Sequence, residues 1–174
     1  MLKVLHERFK AKTFVIADND EQGRKSVKEA RKMGLQENKE VFELPKKDIL
    51  CYIPPEIMHN VLRDVIVNDL KIDIGRLKDI KVRINGEKTA IDILEEIKKY
   101  GILKNETDLL RLLTHTLSNE VHEEVKDARG WKDKDLYHTL KPIIAEKAVK
   151  NLKETPDEIA RILTIIDNNV REVV

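Results

Sequence analysis

Thr13–Lys25 reads TFVIADNDEQGRK, and the reading of the whole chain turns on it. Phe14, Val15, Ile16 and Ala17 form an apolar run, mostly β-branched or aromatic and too short for a helix. Bounded by polar residues, it predicts a buried strand of a parallel sheet covered on both faces. The carboxyl end of that strand delivers Asp18 and Asp20, then Gly23, then a basic helix-forming segment from Arg24 to Arg31. Ligands of open α/β sheets collect just beyond the carboxyl ends of strands. Two carboxylates spaced i, i+2 there can face one hard cation, and Gly23 would let the backbone turn sharply into the helix.

The spacing D-x-D-x-x-G belongs to several unrelated sites. Asp18, Asp20, Gln22, Gly23 and Glu29 fit much of a calcium-binding EF-hand loop, including its acidic twelfth position. Such a loop follows a helix, however, whereas a strand-like run leads into this one, and Lys25 stands where an apolar residue normally packs. A phosphatase-type D-x-D would make Asp18 a nucleophile, but the residues after it do not follow that pattern. A third reading gives the acids no chemistry, with Asp20 capping the positive end of the next helix.

The words themselves carry a resemblance. VIADNDEQGRKSVKEA, residues 15–30, resembles the D-x-D motif of the Toprim superfamily, the metal-binding module of topoisomerases, bacterial primases and OLD-type nucleases. ELPKKDILCYIPPEIM, residues 43–58, resembles the segment of OLD-type Toprim proteins in which a strand leads into an acidic-aromatic motif and then a helix. The likeness spans residues 1–62, about a third of the chain, and is closest to the C-terminal part of an OLD-type Toprim domain. It implies that Asp18 and Asp20 are catalytic and bind Mg²⁺ (or Mn²⁺), which neutralises a nucleic-acid phosphodiester undergoing cleavage or transfer. Asp48 would complete a second acidic position, and Arg24 or Lys25 would touch a phosphate beside the metal.

Two departures bear on that implication. The family carries a glutamate at the end of an earlier strand, but only seventeen residues precede Asp18. The first eleven, MLKVLHERFKA, read as a helical segment with Leu2, Leu5 and Phe9 at helix spacing, so Glu7 is not assigned that role. Where relatives carry a glutamate two residues before the tyrosine, this chain has Leu50. The expectation is the later half of a Toprim module, with the missing segment coming from a partner chain, a second copy or an upstream stretch. The competing expectation is a non-catalytic interaction or regulatory protein that keeps the fold without a full site.

Composition sets the bounds. The 174 residues suffice for one ordinary domain or two small ones, and 41% are hydrophobic, consistent with a real core. Charged residues make up 37%, but Lys+Arg 33 against Asp+Glu 32 gives no overall pull toward nucleic acid or membrane. Cys51 is the sole cysteine, so neither a disulfide framework nor a thiolate cluster is expected. It sits among apolar neighbours and reads as a small buried hydrophobe. The charged N-terminus is unlike a signal peptide, and no apolar run approaches a membrane span, so a reducing cytoplasm is expected.

The chain in order predicts α/β structure over 1–53 and a mainly helical part over 54–174. A helix over 21–33 ends at Gly34, and Glu40–Leu44 forms the next strand, making one β-α-β unit. Asp48–Ile53 is short and extended or helical, and Pro55 opens a helix carrying Ile57, Val61, Leu62 and Val65. Ile80, Val82 and Ile84 suggest a half-exposed strand ending at an Asn85-Gly86 turn, with no clear second strand. Helices are then expected from Lys88 to Gly101, from an Asn105 cap through Val125, and after Asp133 with Leu136, Leu140, Ile143 and Ile144 inward. Thr155-Pro156-Asp157-Glu158 starts a last helix that buries Ile159, Ile162, Leu163, Ile166 and Val170 and completes a bundle. His115 and His122, seven residues apart, fall on one face of the second helix, too far apart for a metal pair. Trp131, Tyr137 and His138 form either a base-stacking surface or, the plainer reading, core contacts.

Overall fold

A computed structural model describes residues 12–46, 48–84, 86–102, 109–131 and 136–171. The fold is mixed α/β with a helical part, in two compact units. One holds the described residues among 1–52 together with those among 154–174, the other those among 53–153. The segment 1–11, expected to be helical, lies outside the described residues, as do Asn85 and Asn105.

In the first unit the apolar run forms β1, Val15–Ala17, and the next strand is β2, Val41–Glu43. They pair in parallel, Val15 opposite Val41 and Ala17 opposite Glu43. Helix α1, Glu21–Lys32, joins them. It stops in a Schellman arrangement: Gly34, at φ +85°, donates to the Arg31 carbonyl at 3.0 Å, and Leu35 donates to the Ala30 carbonyl at 3.2 Å. Period-two alternation sends Val15, Ala17 and Val41 toward Val27, Ala30 and Leu35, forming one layer of core.

The opposite face carries Phe42 and Leu44, buried with Tyr52 and with Ile162 of the last helix, Asp157–Arg171 (α7). Phe14, Ile159, Ile165 and Ile166 pack around them. The expected division placed this helix with the helical part; its apolar stripe instead packs on Phe42 of the second face, while Ile16 of β1 on that face stays 43% exposed, so β1 is not covered on both faces as expected. Leu163 and Val170, expected inside, remain 48% and 47% exposed. Two strands make a narrow face, which takes the stripe through Ile159, Ile162 and Ile166 and leaves the flanking residues uncovered. Asn169, buried near the end of α7, donates to the Lys39 carbonyl at 3.3 Å, and its own carbonyl accepts from the Lys12 ammonium.

The second unit begins with α2, Pro55–Asp64, with Pro55 in its first turn where a missing N–H costs nothing. The helix widens into a π-turn, Val65–Asp69, closed by Leu70 N–H donating to the Val65 carbonyl at 2.9 Å. A 3₁₀ turn, Ile74–Lys78, leads to β3, Lys81–Ile84, which pairs antiparallel with β4, Gly86–Thr89. The second strand of this hairpin was not legible because GEKT has no apolar alternation. Thr89 then caps α3, Ala90–Tyr100, in a reciprocal box with Asp92.

Where one helix was expected from Asn105 through Val125, two form among the described residues: α4, Leu109–Leu117, and α5, Glu123–Arg129. Thr114, Thr116 and Ser118 each turn a hydroxyl back onto a carbonyl three or four residues earlier, which weakens the helical ladder just where it ends. Helix α6, Leu136–Asn151, buries Tyr137, Leu140, Ile144 and Ala148, so Tyr137 takes the inward place expected of Leu136 and Ile143. The core gathers Met58, Leu62, Ile93, Leu94, Ile97 and Leu110, all essentially inaccessible. No described helix is long and apolar enough to cross a membrane.

The π-turn sets Asp64 and Asp69, five residues apart, on one side, where the Lys147 ammonium of α6 bonds to both carboxylates. Bonds from Lys147 and then Asn68 hold the Asp64 carboxyl below its usual 3.8. Burial works against the Lys147 charge, yet the two carboxylates outweigh it and hold the ammonium above its usual 10.5. A lowered acid contributes stability above its unfolded value that is lost as pH falls through the folded one; a raised base contributes below its unfolded value and loses it as pH rises. The urea midpoint is therefore expected to drop below about pH 3.8, with a smaller drop in Lys147→Met than in the wild type.

Candidate metal centre

Asp18 is the first residue beyond β1 and is half-buried. Its Oδ1 accepts the Ile49 backbone N–H at 3.1 Å, across thirty-one residues of chain. Ile49 opens a 3₁₀ turn, Ile49–Tyr52, and Asp48 just before it accepts the Leu50 N–H on its own Oδ1 at 2.9 Å. Asp18 and Asp48 thus meet at the first two amides of one short turn. Sequence alone left these two words apart, and the fold brings them together.

Asp20 stands at the N-cap of α1 in extended conformation, and its Oδ1 accepts the Gly23 N–H at 2.6 Å. A charge-assisted cap of this kind contributes about 1 kcal/mol. Gly23 lies inside α1, within the helix expected over 21–33, so its role is not the sharp turn expected of it. A Cβ built there would stand 1.8 Å from the Asp18 carbonyl oxygen. The requirement is for close approach of helix to strand end, not for a turn. Asn19, passed over in the sequence, ties the bend together. Its amide donates to the Pro45 carbonyl at 3.2 Å, and its oxygen accepts from Arg24 at 3.1 Å.

The proposed phosphate contacts are otherwise engaged. Arg24 is turned onto Asn19, and Lys25 pairs with Glu21 at 2.7 Å. Farther along the helix Lys32 pairs with Glu29 and Arg31 with Glu37. The basic face seen in sequence therefore carries much of its own counter-charge. Glu29, the twelfth position of an EF-hand reading, is an exposed helical residue whose carboxyl Lys32 holds below its usual range. With β1 ahead of the acids and Glu29 on the helix, no EF-hand loop is formed.

The acidic-aromatic word is partly core. Leu50 is 2% exposed and Tyr52 8%. The Tyr52 hydroxyl accepts from the Lys46 N–H at 3.1 Å, and the Lys46 ammonium lies 4.5 Å from the ring centre. Burial pushes the phenol above its usual 10. Cys51 is half-buried, and its carbonyl accepts from the Lys46 side chain.

In the second unit His115 is exposed on α4 and His122 stands at the N-cap of α5, so the bend at 118–121 separates them. Tyr137 is buried under Arg111, and His138 meets it edge-on, which removes Tyr137 from any base-stacking surface. Among the described residues no group of three or more His, Cys, Asp or Glu is placed to hold a metal ion. The donor set at the turn, Asp18 with Asp48, suits Mg²⁺ in kind, since that ion is commonly held by one or two carboxylates together with substrate oxygens.

Because backbone blocks the space beside Gly23, Gly23→Ala is expected to cost about 3 kcal/mol or more in urea unfolding. A side-chain substitution at exposed Lys25 is expected to stay within about 0.5 kcal/mol. Comparison with models of protein families, with curated proteins and with solved structures finds no match to this chain.

Proposed function

We propose that residues 12–52 belong to a Toprim-like module of the OLD nuclease type, acting with Mg²⁺ or Mn²⁺ on nucleic-acid phosphodiesters. The observation that carries this reading is the contact between Asp18 and the Ile49 amide. It joins the two words on which the resemblance rests, beyond the carboxyl ends of two parallel strands. Asp18 and Asp48 would hold the ion, which supplies charge neutralisation for the phosphodiester. Asp20 would add its Oδ2, since Oδ1 serves the helix cap. The site on this chain lacks the family glutamate, which a partner chain, a second copy or an upstream segment would supply. In this reading the protein works in the cytoplasm.

A specific observation favours the second reading, a non-catalytic interaction or regulatory protein. Leu50, at the position where relatives carry an acid, points into the core, and Asp20 is engaged as a cap. Titration with Mg²⁺ and Mn²⁺, followed by calorimetry, separates the two. Asn occupies an N-cap about as well as Asp does, so Asp20→Asn should keep the cap and lose only the contribution of the charge, about 0.3–1 kcal/mol. The metal reading expects at least tenfold weaker binding in Asp18→Asn, with metal-dependent cleavage of labelled DNA or RNA lost alongside. Metal binding identical in wild type and Asp18→Asn would reject it.

A further inference from the structure

The two outer edges of the β1–β2 sheet differ. Parallel pairing uses every second residue of a strand: Val15 donates to the Glu40 carbonyl and Ala17 accepts from Leu44, both at 2.8 Å. On β2 the outward-pointing Val41 is served by its own loop. Its N–H donates to the Gln36 carbonyl at 3.0 Å, and its carbonyl accepts the Asn38 N–H at 2.9 Å. On β1 the outward-pointing residue is Ile16, and no described residue bonds to its N–H or its C=O. Its side chain lies on the face shared with Phe42 and is 43% exposed. Ile16 therefore presents backbone and apolar side chain together at one open edge.

We propose that this edge pairs with the same edge of a second copy of the chain, antiparallel and centred on Ile16. An unbonded N–H and C=O side by side on a strand call for another extended backbone. Ile16 is the middle residue of β1, so a two-fold axis there makes it a hydrogen-bonded pair with Ile16 of the second copy. Each donates to the other's carbonyl, and the two side chains, on one face, cover each other. Charge selects this direction. Lys12 precedes the strand and Asp18 and Asp20 follow it, so antiparallel pairing sets the basic end of one copy beside the acidic end of the other. Parallel pairing would set like against like. One sheet, ordered β2-β1-β1-β2, then runs through both copies. The pairing uses no carboxylate as a metal ligand and is independent of metal binding.

Sedimentation velocity on the full chain over a range of concentrations is expected to show reversible monomer–dimer exchange. The dimer should be lost in Ile16→Lys, which puts two like charges on the axis at an exposed position. In a Cys51→Ala background, Ile16→Cys gives a direct reading even if Ile16→Lys folds poorly. Hydrogen-bonded antiparallel partners stand about 5.5 Å apart at Cα, within the roughly 4.4–6.8 Å that a disulfide spans. Oxidation should form covalent dimer at least about tenfold faster than for Gln22→Cys, at an exposed position of α1, since pairing raises the effective concentration of the sulfurs. The Ile16 amide, followed by NMR, should exchange more slowly as concentration rises. A monomer at every concentration overturns the proposal, as does a dimer that survives Ile16→Lys or equal cross-linking at the two positions. An Ile16 amide protected to the same extent at all concentrations assigns the edge to residues 1–11 of the same chain. An unprotected amide in a monomer leaves the edge to a different protein, and either result rejects self-pairing.

Discussion

Position 23 has no side chain, and the backbone of Asp18, just beyond β1, uses the space. The Asp18 carbonyl lies where a Cβ would be, so the first turn of the helix presses directly on the end of β1. That closeness fixes the bend between them. Asp20 reaches the Gly23 amide only because the helix starts there, and Asn19 is held between Pro45 and Arg24 by the same geometry. With the bend fixed, Asp18 projects toward the 3₁₀ turn and binds it through Ile49. One missing methyl group thus sets the bend that carries Asp18 and Asp20.

The second unit meets a different constraint. The π-turn after α2 adds a residue to the helical ladder, and it sets two carboxylates side by side next to a helix that supplies one lysine. Two acids against one base leave charge to be met, and Arg129 meets it from the surface. The core around Met58, Leu94 and Ile97 does not need that contact, since its area is apolar and closed. Hydrophobic burial holds α2, α3 and α6, whereas α5 buries no residue and adds the Arg129–Asp69 ion pair.

Much of this was legible in the chain itself, where local chemistry decides structure. VIA and VFE read as strands because β-branched and aromatic residues sat between polar bounds, and Gly34 marked the helix end because only a left-handed residue completes that motif. Pro55 and the Thr155–Glu158 word named two helix starts for equally local reasons. The losses occurred where a distant partner decides. GEKT became a strand because KVRI lay beside it, not through any pattern of its own. Helix α7 has an amphipathic stripe that fits a bundle or a sheet equally well, and only the proximity of Phe42 and Leu44 settles the choice. The break at Ser118 was written in three hydroxyl residues, but their effect depended on each turning back to the helix.

The acids at 18 and 20 show why a short motif underdetermines function. A helix cap and a metal site make the same demands at this point: an acid at a strand end, a short bend, then a residue that lets the helix come close. D-x-D-x-x-G satisfies both, so local spacing cannot separate them. What separates them is non-local. A cap involves only Asp20 and Gly23, and it would exist without the turn at 49–52. Asp18 has no part in the cap, yet it spans thirty-one residues to meet that turn beside Asp48. The two carboxylates have different work: Asp20 secures the helix, and Asp18 with Asp48 forms the pair on which metal chemistry would depend. Charge removal at Asp18, with the cap untouched, therefore addresses function, whereas truncating Asp20 mixes function with stability.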